Sequence, residues 1–180
     1  DLRMSRGLGD VYKRQLLFNE ENVLLDPYSR AVTGQRKWGE KPEGGKDFEY
    51  RARVVKSSFD WGNIKQLEQP FEDLVIYETH VRGYTKDKSS GVSAPGTFAG
   101  LKDKIPYLKD LGINAVELMP IFEFDEMESA RVVDGVQLYN YWGYNTVSFF
   151  APNTSYAFNE EHNHEGDELK SLIKALKENV

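Results

Sequence analysis

The sequence predicts an α/β fold organised around a strand–helix–strand unit, and three stretches carry that prediction. DLVIYETHV (73–81) is rich in β-branched and aromatic residues with no Gly or Pro inside, so it reads as a strand. FAGLKDKIPYLKDLG (98–112) keeps Leu101, Ile105, Leu108 and Leu111 on one helical face. INAVELMP (113–120) follows at once as a second apolar run of strand length. Two strands bridged by a helix make a βαβ unit, whose crossover is expected to be right-handed.

The boundaries of these elements follow from local chemistry. TKDKSSGVSAPGT (85–97) has loop composition and separates the first strand from the helix. Pro106 has no amide hydrogen and its ring clashes with the preceding turn, so the helix is expected either to kink there or to start close to it. Gly112 stops the helix and Pro120 ends the second strand. A long loop is then expected from Ile121 to Glu165, and loops of that length in compact domains are usually functional. In GDELKSLIKALKENV (166–180), Leu169, Leu172, Ile173 and Leu176 mark one face of an amphipathic helix, with Asp167 as its expected N-cap. A helix in that place would next feed a third parallel strand, so the βα repeat reads as unfinished.

Upstream, residues 16–72 alternate short apolar pieces with turn chemistry, as in NVLLDPYSRAV, GEKPEGGKDFEY and ARVVKSSFDWGN. They read as a mostly irregular connector with some β content. Lys41–Gly45 is a loop by composition, while Phe59, Trp61 and Phe71 are expected to pin the connector onto a neighbouring surface. The opening DLRMSRGLGDVYKRQ (1–15) has neither helical nor strand period and resembles translated adapter sequence, so it is expected to be a non-native leader.

Composition narrows the partners. The 180-residue chain carries a net charge of −6 with scattered Lys and Arg, which argues against nucleic acid and against an anionic membrane surface. No Cys occurs, so disulfides and thiolate metal sites are excluded and a reducing, cytoplasmic setting is compatible. No apolar run has the length of a membrane span, and the first residues lack a secretory h-region.

The most unusual stretch is YNYWGYNTVSFFAP (139–152), which places six aromatics among Asn, Gly and Pro. Asn140, Gly143 and Asn145 interrupt any helix or strand period, so 139–145 reads as loop, and rings on a loop are more often there for a ligand than for packing. For Phe149 and Phe150 burial in a core is as good a reading.

Five segments in order resemble the α-amylase superfamily of glycoside hydrolases, within it the glycogen-debranching and isoamylase–pullulanase branch: LLDPYSRAVTG (24–34), FDWGN (59–63), VIYETHVRGYT (75–85), GTFAGLKDKIPYLKDLGINAVELMPI (96–121) and YWGYNTVSFFAPNTSYA (141–157). The resemblance implies a truncated N-terminal portion of such an enzyme. Residues 16–72 would end a glucan-binding β-sandwich and its connector, and residues 73–180 would be the first two βα units of an incomplete (β/α)8 barrel, cut before the third strand. A complete barrel takes roughly 250 residues.

The same resemblance implies hydrolysis of α-1,6 branch points in glycogen or related α-glucans by a retaining mechanism. Its two carboxyl groups act as acid and nucleophile. The family places them after later strands, so no catalytic residue is assigned here. Pullulanase and malto-oligosyl trehalose hydrolase activities stay open, as does a non-catalytic carbohydrate-binding relative. The Tyr of the W-G-Y motif, Tyr144, would stack under a sugar ring, with Trp142, Tyr141 and Asn145 as its neighbours in the binding site. The expected partner is an α-glucan such as glycogen, starch or limit dextrin, and no cofactor or metal is expected.

Other polar groups read as structural. Glu78 and Glu117 are expected to face a barrel interior, satisfied by Arg82 or His80. Glu123, Asp125, Glu126 and Glu128 read as a solvated acidic loop rather than a calcium site. His162 and His164 form an H-x-H pair with no third zinc ligand in view.

Overall fold

The computed structural model describes residues 24–40 and 50–179. The leader expected at 1–15 and the Lys41–Gly45 loop lie outside the described residues. At the centre is a parallel pair, β1 (Ile76–Thr79) and β2 (Ala115–Leu118), in register from Ile76 opposite Ala115 to Thr79 opposite Leu118. Between them run α1 (Val81–Thr85), α2 (Phe98–Lys102) and α3 (Ile105–Asp110).

The predicted first strand is trimmed at both ends. Phe71–Asp73 forms a 3-10 turn, and His80 closes the strand by capping α1, its Nδ1 accepting the Arg82 and Gly83 amides at 3.1 Å each. The helix predicted over 98–112 is two short helices. Pro106 sits in the first turn of α3, where its missing amide hydrogen has no intrahelical partner to lose. Gly112 then ends α3 as expected, its amide reaching the Lys109 carbonyl while the Ile113 amide reaches that of Leu108, a Schellman pair.

The stretch expected as one long loop holds four strands: β3 (Phe122–Phe124), β4 (Arg131–Val133), β5 (Val136–Leu138) and β6 (Thr146–Pro152). β3 and β6 pair antiparallel with register shifts, and β4 and β5 form a hairpin. The hairpin turn is Asp134-Gly135, both at positive φ (50° and 78°), the backbone that matches strand twist and that Asp-Gly tolerates. TVSFFA has the β-branched and aromatic content of a strand, but it continues the aromatics of the preceding loop without a change of composition.

The last helix, α4 (His164–Asn179), begins before the expected N-cap. Asp167 is therefore inside its first turn, where its charge suits the helix dipole and pairs with Lys170 at 3.1 Å. The core consists of Val81, Phe98, Leu101, Ile105, Phe124, Tyr156 and Leu172, with Trp38, Leu118 and Leu169 packed against it.

The connector docks through Phe59, which the sequence singled out, and also through residues that it did not. Val32 bridges antiparallel to Ala52, Ala31 and Val32 are buried, and Arg53 donates to Glu165 of α4 at 2.6 Å. Phe59 does contact Trp61 edge-on at 4.9 Å, with Lys170 over its ring at 5.7 Å. Phe71 is 81% exposed and pins nothing, because the 3-10 turn carries it away from the core. Glu78 and Glu117 also depart from expectation: they are cross-strand neighbours and both are exposed. Their expected partners are engaged elsewhere, beneath the aromatic loop.

Candidate functional site

The loop 139–145 leaves β5 and enters β6, and its first half is anchored from below. The Tyr141 ring stacks on the His80 imidazole with centroids 4.0 Å apart and planes 7° apart. Because His80 Nδ1 accepts two backbone amides it carries no proton, so Nε2 is the N–H that donates to the Tyr141 carbonyl at 2.7 Å. Burial holds the His80 pKa below its ordinary value, with the Arg82 charge acting in the same direction against the Tyr141 bond, which fixes the neutral tautomer.

A second layer lies under His80. Trp38 of the connector stacks on Tyr156 at 6.1 Å and 8°, and the Arg82 guanidinium lies 4.5 Å from the Trp38 ring centre. Tyr156 Oη is 3.2 Å from His80 Nε2. Burial pushes the Tyr156 phenol well above its usual value, so it remains neutral.

The acidic loop is not solvated as predicted. Glu123 and Glu126 are fully buried, whereas Asp125 is half-buried and Glu128 exposed. Glu123 accepts the Thr154 amide at 2.7 Å and its hydroxyl at 3.2 Å. Glu126 accepts the Gly39 amide at 2.9 Å, the Ser155 hydroxyl and the Asn153 side-chain amide, and its backbone carbonyl accepts the Asn140 amide at 2.9 Å. Burial raises the Glu126 pKa to about 7 against those three bonds and the Arg82 charge, and raises that of Glu123 as well. The Asn-Thr-Ser run at 153–155 supplies the donors that make burial of two carboxyls tolerable. That run is the sequence signal for their burial.

Above this support the second half of the loop stays open. Trp142 meets Tyr141 edge-on at 5.1 Å and is 53% exposed, and Tyr144 is 71% exposed. Gly143 makes the turn between them: its φ is +75°, and a Cβ there would lie 2.5 Å from the Phe124 ring. Asn145 donates through Nδ2 to Glu128 Oε2. Trp142, Tyr144, Asn145 and Glu128 border a cleft of about 640 Å³, together with Ser129, Arg131, Tyr139 and Asn140. The structure thus gathers Trp142, Tyr144 and Asn145 at one cleft and sets Tyr141 behind them as support. Phe149 and Phe150 are 64% and 56% exposed on β6, so they are not core residues.

No metal centre is assembled among the described residues: no group of three or more His, Asp or Glu side chains is gathered there. His162 contacts Arg36, and His164 pairs with Glu161 at 3.2 Å. Nor is any helix among the described residues long and apolar enough to cross a membrane.

No family model matches the chain. Isoamylase 1 of Arabidopsis thaliana, a chloroplastic protein, is 39% identical over 165 residues, covering 87% of this chain and 21% of that protein. A glycogen operon protein GlgX homolog of Mycobacterium tuberculosis is 33% identical over 175 residues, covering 87% of this chain and 24% of that protein. The chain is a relative of the isoamylase, GlgX and pullulanase branch of the α-amylase superfamily. Its structure agrees: pullulanase type I from Bacillus subtilis, solved in complex with maltose, matches with a TM-score of 0.65 at 27% identity, covering 86% of this chain and 21% of that one. The chain spans less than a quarter of the length of these relatives. The stretch VIYETHVRGYT supplies His80 and Arg82, and YWGYNT supplies the Tyr141 ring that stacks on His80.

Proposed function

We propose that the chain forms part of the sugar-binding face of an α-glucan debranching glycoside hydrolase, with Tyr144 as the platform under one glucosyl ring. The observation that carries this reading is a phenol ring 71% exposed on a loop whose base is fixed by buried stacking and hydrogen bonds. A glucose ring presents C–H groups on its faces and hydroxyls round its rim. The electron-rich face of Tyr144 suits the former, while Asn145 and Glu128 suit the latter.

Position in the fold supports the same reading. His80 follows β1 directly and the aromatic loop lies on the chain beyond β2, so the cleft belongs with the C-terminal ends of the parallel strands, where (β/α)8 enzymes build their sites. In this reading β1 and β2 are the first two strands of that barrel. Neither Glu78 nor Glu117 borders the cleft, and no catalytic carboxylate is assigned here. The isolated 180-residue chain is accordingly expected not to hydrolyse glycogen or pullulan.

The test is Tyr144→Ala in the complete polypeptide, assayed for hydrolysis of glycogen. Turnover is expected to fall roughly tenfold or more, as for truncation of an anchoring aromatic. A rate close to that of the parent would contradict the platform reading.

A further inference from the structure

The hairpin β4–β5 lies within the stretch expected as one long loop, and its register brings Arg131 to the cleft. Arg131 pairs with Leu138, the residue before Tyr139, so the base of the hairpin stands beside the first residue of the aromatic loop. Arg131 is exposed and borders the same cleft as Tyr139, Trp142 and Tyr144. Its backbone is fixed on both sides: the Gln137 side chain donates to its carbonyl at 3.3 Å, and the Ala130 amide before it reaches the Met127 carbonyl at 3.0 Å. Its guanidinium has no hydrogen-bond or ion-pair partner among the described residues.

We infer that Arg131 is a specificity-determining residue, binding the hydroxyls of a glucosyl unit next to the one stacked on Tyr144. The inference rests on the platform reading of Tyr144. A guanidinium presents a planar fork of donors, which matches the adjacent hydroxyls of a pyranose better than a single ammonium does. Glu128, held by Asn145, offers acceptors in the same cleft, so donor and acceptor are both supplied to the hydroxyl rim. The cleft volume of about 640 Å³ lies in the middle of the range for small-molecule sites and exceeds what one hexose fills. The ring on Tyr144 leaves room beside it, and Arg131 is the free cation at that place among the residues bordering the cleft. The chemistry selected is a neutral oligosaccharide of at least two glucosyl units rather than a single sugar.

The experiment is calorimetric titration of the complete polypeptide with glucose and with maltotetraose, in the parent protein and in Arg131→Ala, Arg131→Lys and Tyr144→Ala. Arg131→Ala is expected to lower maltotetraose affinity about tenfold, the loss of one charge-assisted hydrogen-bonding group, and to leave glucose affinity within about twofold. Arg131→Lys is expected to recover less than half of that loss, because the fork is gone while the charge remains. Unchanged maltotetraose affinity in Arg131→Ala, or an equal loss for glucose, would overturn the assignment. Tyr144→Ala is expected to weaken both ligands. If it weakens neither, the platform reading fails, and the Arg131 ratios still show whether that residue grips sugar.

Discussion

The two halves of the aromatic loop differ in almost every physical respect. Tyr141 lies flat on His80, over a layer in which Trp38, Arg82 and Tyr156 contact one another and Glu126 collects donors from the connector and from the turn after β6. Trp142 and Tyr144, one and three residues further on, are 53% and 71% exposed. Aromatic residues so close in sequence therefore stand in opposite settings: Tyr141 is packed on His80, and Trp142 and Tyr144 are open to solvent. Exposed rings on a mobile segment would lose entropy on binding, whereas rings on a fixed base have already lost it.

That contrast can be broken deliberately. The largest effect is expected from Tyr156→Ala, which empties a fully buried aromatic site under His80 and Trp38, costing about 3–5 kcal/mol of stability in chemical denaturation. Gly143→Ala should follow, losing ~1–3 kcal/mol, because the new methyl meets Phe124 in a left-handed backbone. It should also weaken sugar binding, since the turn aims both exposed rings.

Glu126 gives a pH-dependent version of the same test. Its folded pKa of about 7 lies above the ordinary carboxyl value of 4.5, so between those values the folded state holds a proton that the unfolded state has released. Its contribution to stability is thus fully present below the unfolded pKa and is lost as pH rises towards about 7. Glu126→Gln, which cannot titrate, should flatten the fall in melting temperature across that window. An unchanged slope would mean that the carboxyl ionises as it does in water. The smallest effect on stability is expected from Tyr144→Ala, within about 0.5 kcal/mol of the parent, because the ring is largely in solvent already.

What the sequence revealed and what it hid follow one physical division. β1, β2 and the helical face of α4 were legible because their apolar periods are local, and the break at Pro106 because ring sterics are local too. The loop 139–145 was legible through Asn140, Gly143 and Asn145. β6 was hidden because its aromatics continue those of the loop without a change of composition. The burial of Glu123 and Glu126 was hidden because their donors come from Gly39 and from residues 153–155, distant in sequence. The role of Trp38 was hidden for the same reason: nothing near it in the chain shows that Tyr156 and Arg82 will meet it. Arg131 depends on the register of a hairpin, of which only the Asp-Gly turn shows in VVDGVQL.

The most direct measurement is the maltotetraose dissociation constant of Tyr144→Ala and its parent, taken together with their melting temperatures in the complete polypeptide. If the exposed half of the loop is a sugar platform on a separately held base, affinity falls at least about tenfold while the melting temperature stays within a degree or two of the parent's. Unchanged affinity, or affinity and melting temperature falling together, would show that Tyr144 belongs to the packing of the protein and that the platform does not exist.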